Sequence, residues 1–368
     1  MKIYSQILFF CLLTATLCAQ KAKTEAIKYV DCSQFSVIGK YHQEDNYNRL
    51  PAKFEKIVRK EVWDLSLNTA GVSVRFRTNA TRISIKWTLL TNEKFPHMAW
   101  TGIAGLDLYT YKNGQWNFIE TARPKDKTSE YLIFENKNAE YREYLLNLPL
   151  YDGVESVFLG VNESAEVTKP KENYLLNKKP IVHYGSSITQ GGCASRPGMA
   201  YTNILARWLD RSVYNLGFSG EGTFEESVGQ AICEMDVAMV IIDCNPNSDT
   251  SIIYQRAIDL VRQVRKCKPN TPILLLENYI YPDDAIFPEN TPVFRDSKNK
   301  LQHRKWQKLS AAYDVLKKEK IKNLYYQKGD HLIGDDFEGT VDDSHPTDLG
   351  MFRMAKVLHP VINKILAK

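Results

Sequence analysis

The side chains best placed to do chemistry sit in two short segments about 160 residues apart: Gly185-Ser186-Ser187-Ile188-Thr189, and Asp342-Asp343-Ser344-His345-Pro346 near the C-terminus. A serine hydroxyl is a poor nucleophile until a neighbouring base takes its proton. The second segment offers such a base. An Asp three residues ahead of a His can set its carboxylate against the imidazole, fix the tautomer and stabilise the imidazolium that forms. In the first segment, Pro180-Ile181-Val182-His183-Tyr184 reads as a short buried strand, and Gly185 lets the chain turn sharply and present a serine at the strand's C-terminal end. Taken singly, a Gly-Ser-Ser turn and an Asp-x-x-His are common surface features, so the chemistry depends on the fold that would bring them together.

The chain changes character near residue 170. Before it, apolar and polar residues alternate with period two at Val72 to Arg77, Arg82 to Trp87 and Leu106 to Tyr111. Asn113-Gly114 is a strong hairpin signal, followed by Gln115 to Ile119, and further runs lie at Tyr141 to Leu148 and Val154 to Gly160. The pattern predicts an all-β unit, a sandwich or jelly roll. A mostly polar connector, Glu166 to Lys179, separates it from the C-terminal half of the chain. Beyond Pro180 the pattern is strand, helix, strand: apolar strands at Ile181 to Tyr184, Ser212 to Leu216, Val237 to Ile242, Pro272 to Glu277 and Asn323 to Tyr326, divided by helical stretches, with a last helix after Pro346. Continuous apolar strands predict a parallel sheet in a three-layer α/β/α sandwich, with any ligand beyond the carboxyl ends of the strands. The expected organisation is a leader over residues 1–19, a β-sandwich domain over 20–170 and an α/β domain over 180–368.

Residues 180–368 resemble the SGNH (GDSL-type) hydrolase family, whose nucleophile lies in a Gly-x-Ser turn and whose Asp-x-x-His precedes the last helix. The family's second block, a Gly after a strand, is similar to Asn215-Leu216-Gly217-Phe218-Ser219-Gly220, and its third, an Asn after the next strand, falls within Asp243-Cys244-Asn245-Pro246-Asn247. Gly105-Leu106-Asp107-Leu108-Tyr109 matches the motif for which the upstream domain of a GDSL-like subfamily is named. The resemblance implies Ser187 as nucleophile, His345 as base and Asp342 as its partner, with Asp343 a rival one residue away. Of the seven histidines, only His345 has an Asp at that spacing. It further implies oxyanion donors at the backbone N–H of Ser187, the backbone N–H of Gly220 and the side-chain amide of Asn245 or Asn247. Gapless register favours Asn245; a loop bulged by Pro246 favours Asn247, since a residue before proline is driven toward extended backbone. Gly220 is expected to be glycine so that the backbone can approach the reacting atom closely. The chain departs from the family at position 186, Ser where the name has Asp, and in the third block, which lacks the usual Gly-x-Asn-Asp.

Composition narrows the function. Among 368 residues, 48 Lys and Arg face 43 Asp and Glu, a net +5 that is mild and scattered, so no nucleic-acid partner is expected. Lys2, the apolar run Ile7 to Leu13 and Leu17-Cys18-Ala19 before Gln20 have the layout of a secretory leader, too short to span a bilayer. Leu17 is bulkier than a lipoprotein signal at Cys18 prefers. The expectation is an exported, periplasmic or extracellular chain without stable membrane insertion. Five cysteines remain beyond the leader, Cys32, Cys193, Cys233, Cys244 and Cys267, with no Cys-x-x-Cys; the spacing predicts no metal site and no cofactor, and Cys233 and Cys244 read as buried thiols.

Specificity is less visible. The loop Asn278 to Phe294, rich in Tyr, Phe and Pro with Asp283-Asp284, has the composition of one wall of a sugar-sized cleft or of a structural cover, and Arg196 reads either as a contact to a polar substrate or as a solvated residue. The leading expectation is a serine esterase removing O-acyl groups, acetyl foremost, from a glycan or another small ester. The alternatives are a lipase or lysophospholipase of the same fold and a catalytically silent glycan-binding protein; intact Ser187, Asp342 and His345 speak against the last.

Overall fold

The computed structural model describes residues 25–280 and 293–368, the side chains of 293–299 excepted. The leader expected over 1–19 and residues 281–292 of the Asn278–Phe294 loop therefore lie outside the described residues.

The first half of the chain folds into two antiparallel sheets. Its strands are β1 (Ile27–Asp31), β2 (Ser36–Ile38), β3 (Ser73–Thr78), β4 (Arg82–Leu89), β5 (Leu106–Lys112), β6 (Gln115–Ala122), β7 (Thr128–Glu135), β8 (Arg142–Asn147), β9 (Val154–Asn162) and β10 (Val167–Thr168). One sheet runs β1-β9-β4-β7; the other runs β10-β3-β8-β5-β6, with β2 also on β3. Alternate residues of these strands, Val74 and Phe76, Ile83, Ile85 and Trp87, Leu106 and Leu108, are wholly buried between the sheets. Asn113 and Gly114 both take positive φ, 55° and 81°, as the hairpin signal requires. The sequence pattern does not mark β1 and β7. Both are outer strands of their sheet, part-exposed along their length, so the apolar alternation is weak. The connector is not a free linker: β10 pairs with β3, and Arg75 donates to the carbonyls of Glu172 and Tyr174.

The second half is a five-stranded sheet of β11 (Ile181–Gly185), β12 (Val213–Gly217), β13 (Met239–Asp243), β14 (Ile273–Leu276) and β15 (Leu324–Gln327), parallel throughout and ordered β12-β11-β13-β14-β15. Side chains leave alternate faces of each strand. Val182, Tyr184, Val240, Ile242, Ile273 and Leu275 pack with the helices Glu226–Glu234, Thr250–Cys267 and Val293–Lys318. Ile181, Met239, Ile241, Leu274 and Leu276 face the helices Tyr201–Leu209 and Asp348–Leu366, and this core continues without a break into the β-sheets of the first half. The strand order reverses at β11, which has β12 on one side and β13 on the other. Such a switch point opens a crevice at the strand's carboxyl end, where Ser187 follows.

Cys233 is not the buried thiol expected. It is disulfide-bonded to Cys267 across a sequence separation of 34, tying two neighbouring helices, while Cys32, Cys193 and Cys244 are free and buried. Among the described residues, no helix is long and apolar enough to cross a membrane.

Candidate active site

A Cβ at Gly185, the last residue of β11, would stand 2.2 Å from Thr189 Oγ1 and 2.7 Å from the Asp243 carbonyl oxygen, so the turn demands glycine. Ser186 caps the one-turn helix Ser187–Gln190, its Oγ accepting from the Ile188 N–H at 3.2 Å. With Ser186 fully buried in that role, Ser187 is the hydroxyl that meets the second segment. Ser187 Oγ lies 2.9 Å from His345 Nε2, and His345 Nδ1 lies 2.8 Å from Asp342 Oδ2. The other carboxylate oxygen, Asp342 Oδ1, accepts from the backbone N–H groups of Ser344 at 3.1 Å and His345 at 2.7 Å. One carboxylate thus folds the turn and orients the ring, and its demand for an Nδ1–H leaves a lone pair on Nε2 facing the serine. Partial burial raises the Asp342 pKa, but the His345 ring and the two backbone donors outweigh it and hold the carboxyl below its ordinary value. Asp343 sits at φ 61°, and the bond to His345 Nδ1 belongs to Asp342.

The turn after β12 closes over the serine. Phe218 N–H donates to the Gly185 carbonyl at 2.9 Å and Ser219 N–H to Gln190 Oε1 at 3.0 Å, while a Cβ at Gly222 would collide with the Gly185 carbonyl at 2.2 Å. Gly220 lies at the apex of this turn. A Cβ there would meet nothing within 4 Å, so close approach is not what requires glycine; its φ of +77° is. The two asparagines part company. Asn247 Oδ1 accepts from the Gly222 N–H at 3.3 Å, which ties its amide to the turn carrying Gly220 and leaves the NH₂ as the group able to donate. Asn245 is wholly buried with neither amide atom partnered among the described residues.

Beneath the turn lies a buried polar cluster. Thr189 Oγ1 donates to Asp243 Oδ2 at 3.1 Å, and Tyr201 OH lies 3.4 Å from the same oxygen and 3.0 Å from His183 Nε2. Burial pushes the Asp243 carboxyl up to about 8 and the His183 imidazole down to about 3, so both are neutral at pH 7. His183 is a structural histidine, as its place inside a strand leads one to expect.

Several residues that sequence reasoning did not single out come from the first half of the chain. Tyr151 OH donates to the Ser187 carbonyl at 3.1 Å. The buried Arg49 guanidinium donates to the carbonyls of Asn215 at 3.1 Å and Gly217 at 2.5 Å. A cleft of about 440 Å³ reaches His345, and apart from Ser219 and His345 its lining, including Asp64, Asn68, Glu93, Phe95 and His97, precedes residue 152. None of these positions carries a local signal, because each acts through a contact distant in sequence.

The Gly-x-Asp-Leu-Tyr motif has a structural task. Buried Asp107 accepts from Asn147 Nδ2 at 2.8 Å, the Gly198 N–H at 2.8 Å and Arg196 Nη1 at 2.6 Å; Arg196 also donates to Tyr109 OH at 2.6 Å and lies 3.8 Å over Phe118. Arg196 is therefore not a solvated residue but the bolt between the halves. Asp348 holds the adjoining Ser195 at 2.8 Å and 2.5 Å. This clamped segment continues into Gly192, whose Cβ would stand 3.1 Å from His345 Cδ2, so it backs the imidazole.

The fold is that of a three-layer α/β hydrolase. The chain belongs to the GDSL-like lipase/acylhydrolase family, which matches residues 178–363, and residues 27–167 match the GxDLY domain found at the N-terminus of SGNH hydrolase-type esterases. No curated protein matches the sequence. A protein from Bacteroides ovatus described as a GDSL-like lipase shares 35% identity over 93% of this chain and 98% of its own, with a TM-score of 0.87. A salicylyl-acyltransferase from a tetracycline biosynthetic pathway superposes with a TM-score of 0.71 at 16% identity, covering 92% of this chain and 97% of that one. A family two carbohydrate esterase from Clostridium thermocellum, solved with cellohexaose, superposes with a TM-score of 0.57 at 14% identity, covering 81% and 93%.

Proposed function

We propose that this protein is an exported serine esterase that removes O-acyl groups, acetyl foremost, from carbohydrate. The observation that carries the reading is the hydrogen-bonded line Ser187–His345–Asp342 opening on a cleft with Asp64, Asn68, Thr91 and Glu93 in its lining, side chains suited to sugar hydroxyls. Ser187 Oγ attacks the ester carbonyl as its proton passes to His345 Nε2, and Asp342 stabilises the imidazolium. The oxyanion is met by the backbone N–H groups of Ser187 and Gly220 and by the amide of Asn247. His345 returns the proton to the departing sugar oxygen, and a water then releases the acid by the same steps in reverse. The solved complex of a fold relative with cellohexaose supports a glycan substrate, and the Cys233–Cys267 disulfide supports an oxidising compartment outside the cytoplasm, in keeping with the leader expected from the sequence.

The test is a panel of p-nitrophenyl esters of increasing chain length followed by acetylated polysaccharides. Short-chain preference with acetate release from the polymer is expected; long-chain preference would move the assignment to a lipase. Ser187→Ala should abolish hydrolysis with the fold retained, whereas Ser186→Ala, which removes a helix cap, should leave most of it. The reverse ranking would overturn the choice of nucleophile.

A further inference from the structure

Spacing along the chain predicts no metal site, yet among the described residues the fold gathers one candidate from three separate segments. His97 of the β-rich half, Cys193 of the clamped segment, and Asp342 and His345 each offer a ligand atom, and these atoms all lie within 4.8 Å of one another. The His97 and His345 rings lie tilted by 37° with centroids 5.5 Å apart, and the Cys193 thiol donates to the His97 carbonyl at 3.4 Å. In a tetrahedral zinc site, bonds of about 2.0 to 2.3 Å hold the ligand atoms roughly 3.3 to 3.8 Å apart, so a contraction of about 1 Å completes the geometry. Two imidazoles, a thiolate and a carboxylate form a donor set for zinc; calcium and magnesium demand oxygen.

We propose that His97, Cys193, Asp342 and His345 form an inhibitory site for zinc. Coordination releases the Cys193 thiol proton to solvent and withdraws His345 from the serine whichever nitrogen binds. A metal on Nε2 occupies the lone pair that would accept the Ser187 proton. A metal on Nδ1 breaks the bond to Asp342 and leaves the ring's remaining proton on Nε2, where it can no longer act as base. Binding stands on the donor geometry alone, while the inhibition rests on the reading of His345 as the catalytic base.

Two measurements separate those claims. Calorimetric titration of the Ser187→Ala protein with zinc chloride should give one site per chain with a Kd on the order of micromolar or tighter, calcium chloride giving no heat. Adding Cys193→Ser or His97→Gln in that background should each weaken zinc by at least about tenfold, with the circular dichroism spectrum unchanged as the check on folding. Absence of a saturable single site, or an affinity unmoved in both variants, would overturn the site. With the wild-type esterase, zinc should inhibit over the same concentration range and EDTA should restore the rate. The zinc concentration for half inhibition should rise by the same factor in Cys193→Ser, each variant referred to its own metal-free rate. Tight binding without inhibition would leave the site standing and overturn its inhibitory role.

Discussion

The turn that carries Ser187 and the turn that carries Asp342 and His345 are built on opposite plans. Gly185 to Gln190 is buried throughout and locked from below by Asp243 and Tyr201 and from the side by Asn215, whose amide donates to the Thr189 carbonyl at 2.7 Å. Asp342 to His345 is part-exposed and organised chiefly by one carboxylate that bonds two backbone N–H groups and one ring nitrogen, with the Val341 N–H donating to the His345 carbonyl at 2.8 Å and the Tyr279 hydroxyl to the Ser344 carbonyl. A residue in the first region is one of many supports; Asp342 is the main support of the second. Redundant burial makes the serine's position robust, whereas the orientation of the His345 ring depends chiefly on Asp342 and on what backs it.

The largest effect that difference predicts is at Asp342. Asp342→Asn should lower turnover by roughly 10³- to 10⁴-fold, because the ring is then free to present a protonated Nε2 to the serine. Asp343→Asn should remain within a few-fold of wild type. Comparable losses in both would mean that the turn tolerates either carboxylate and that Asp342 is no sole support. Next come the asparagines. Asn247→Ala should lower kcat roughly 100- to 1000-fold with little change in KM, since the amide acts on charge that exists only in the transition state. Asn245→Ala removes a buried amide with no partner among the described residues, and should leave kcat within a few-fold. The opposite order would return the oxyanion role to the gapless register.

How far the sequence could be read obeys the same division. Strand, turn and Asp-x-x-His are local patterns, so β11, Ser187, Asp342 and His345 were legible, as was the parallel sheet from its continuous apolar strands. Contacts that cross the chain lay out of reach. Tyr151 and Arg49 bond the nucleophile region from more than thirty residues away, with nothing nearby to distinguish them from any other tyrosine or arginine. The reason the sequence suggests for a glycine at 220, close approach of the backbone, is contradicted by the open space around it, and its positive φ is a property no local pattern announces. The ion pair of Arg196 is out of reach because its partner, Asp107, lies 89 residues earlier, and the disulfide of Cys233 because the nearness of Cys267 comes from helix packing rather than spacing.

The clamp on the acid–base side gives a smaller effect. Asp107→Ala leaves Arg196 and the Gly198 N–H without their shared acceptor, which for a buried pair costs about 3 kcal/mol of stability. Because the same segment backs His345, kcat should fall about tenfold while KM moves less. A loss of stability with kcat unaltered would show that the motif joins the halves without positioning the base.

The smallest effect on turnover is expected at Asp243, where the redundancy of the nucleophile side is tested most directly. Asp243→Asn replaces a carboxyl that is already neutral at pH 7 with an amide of the same shape, so kcat there should stay within a few-fold of wild type. The signature lies in stability against pH. In the unfolded chain this carboxyl loses its proton near about 3.9, whereas in the folded protein burial keeps the proton until about 8. Between those values the folded state binds more protons than the unfolded state, so this group's contribution makes stability fall as pH rises from about 4 to about 8. The variant lacks that contribution. Its stability relative to wild type, measured by urea unfolding at pH 5, 6.5 and 8, should therefore improve steadily toward pH 8. Parallel pH profiles for the two proteins would mean that Asp243 is ionised in the folded state, and that Thr189 and Tyr201 stabilise a buried charge rather than a neutral acid beneath the serine.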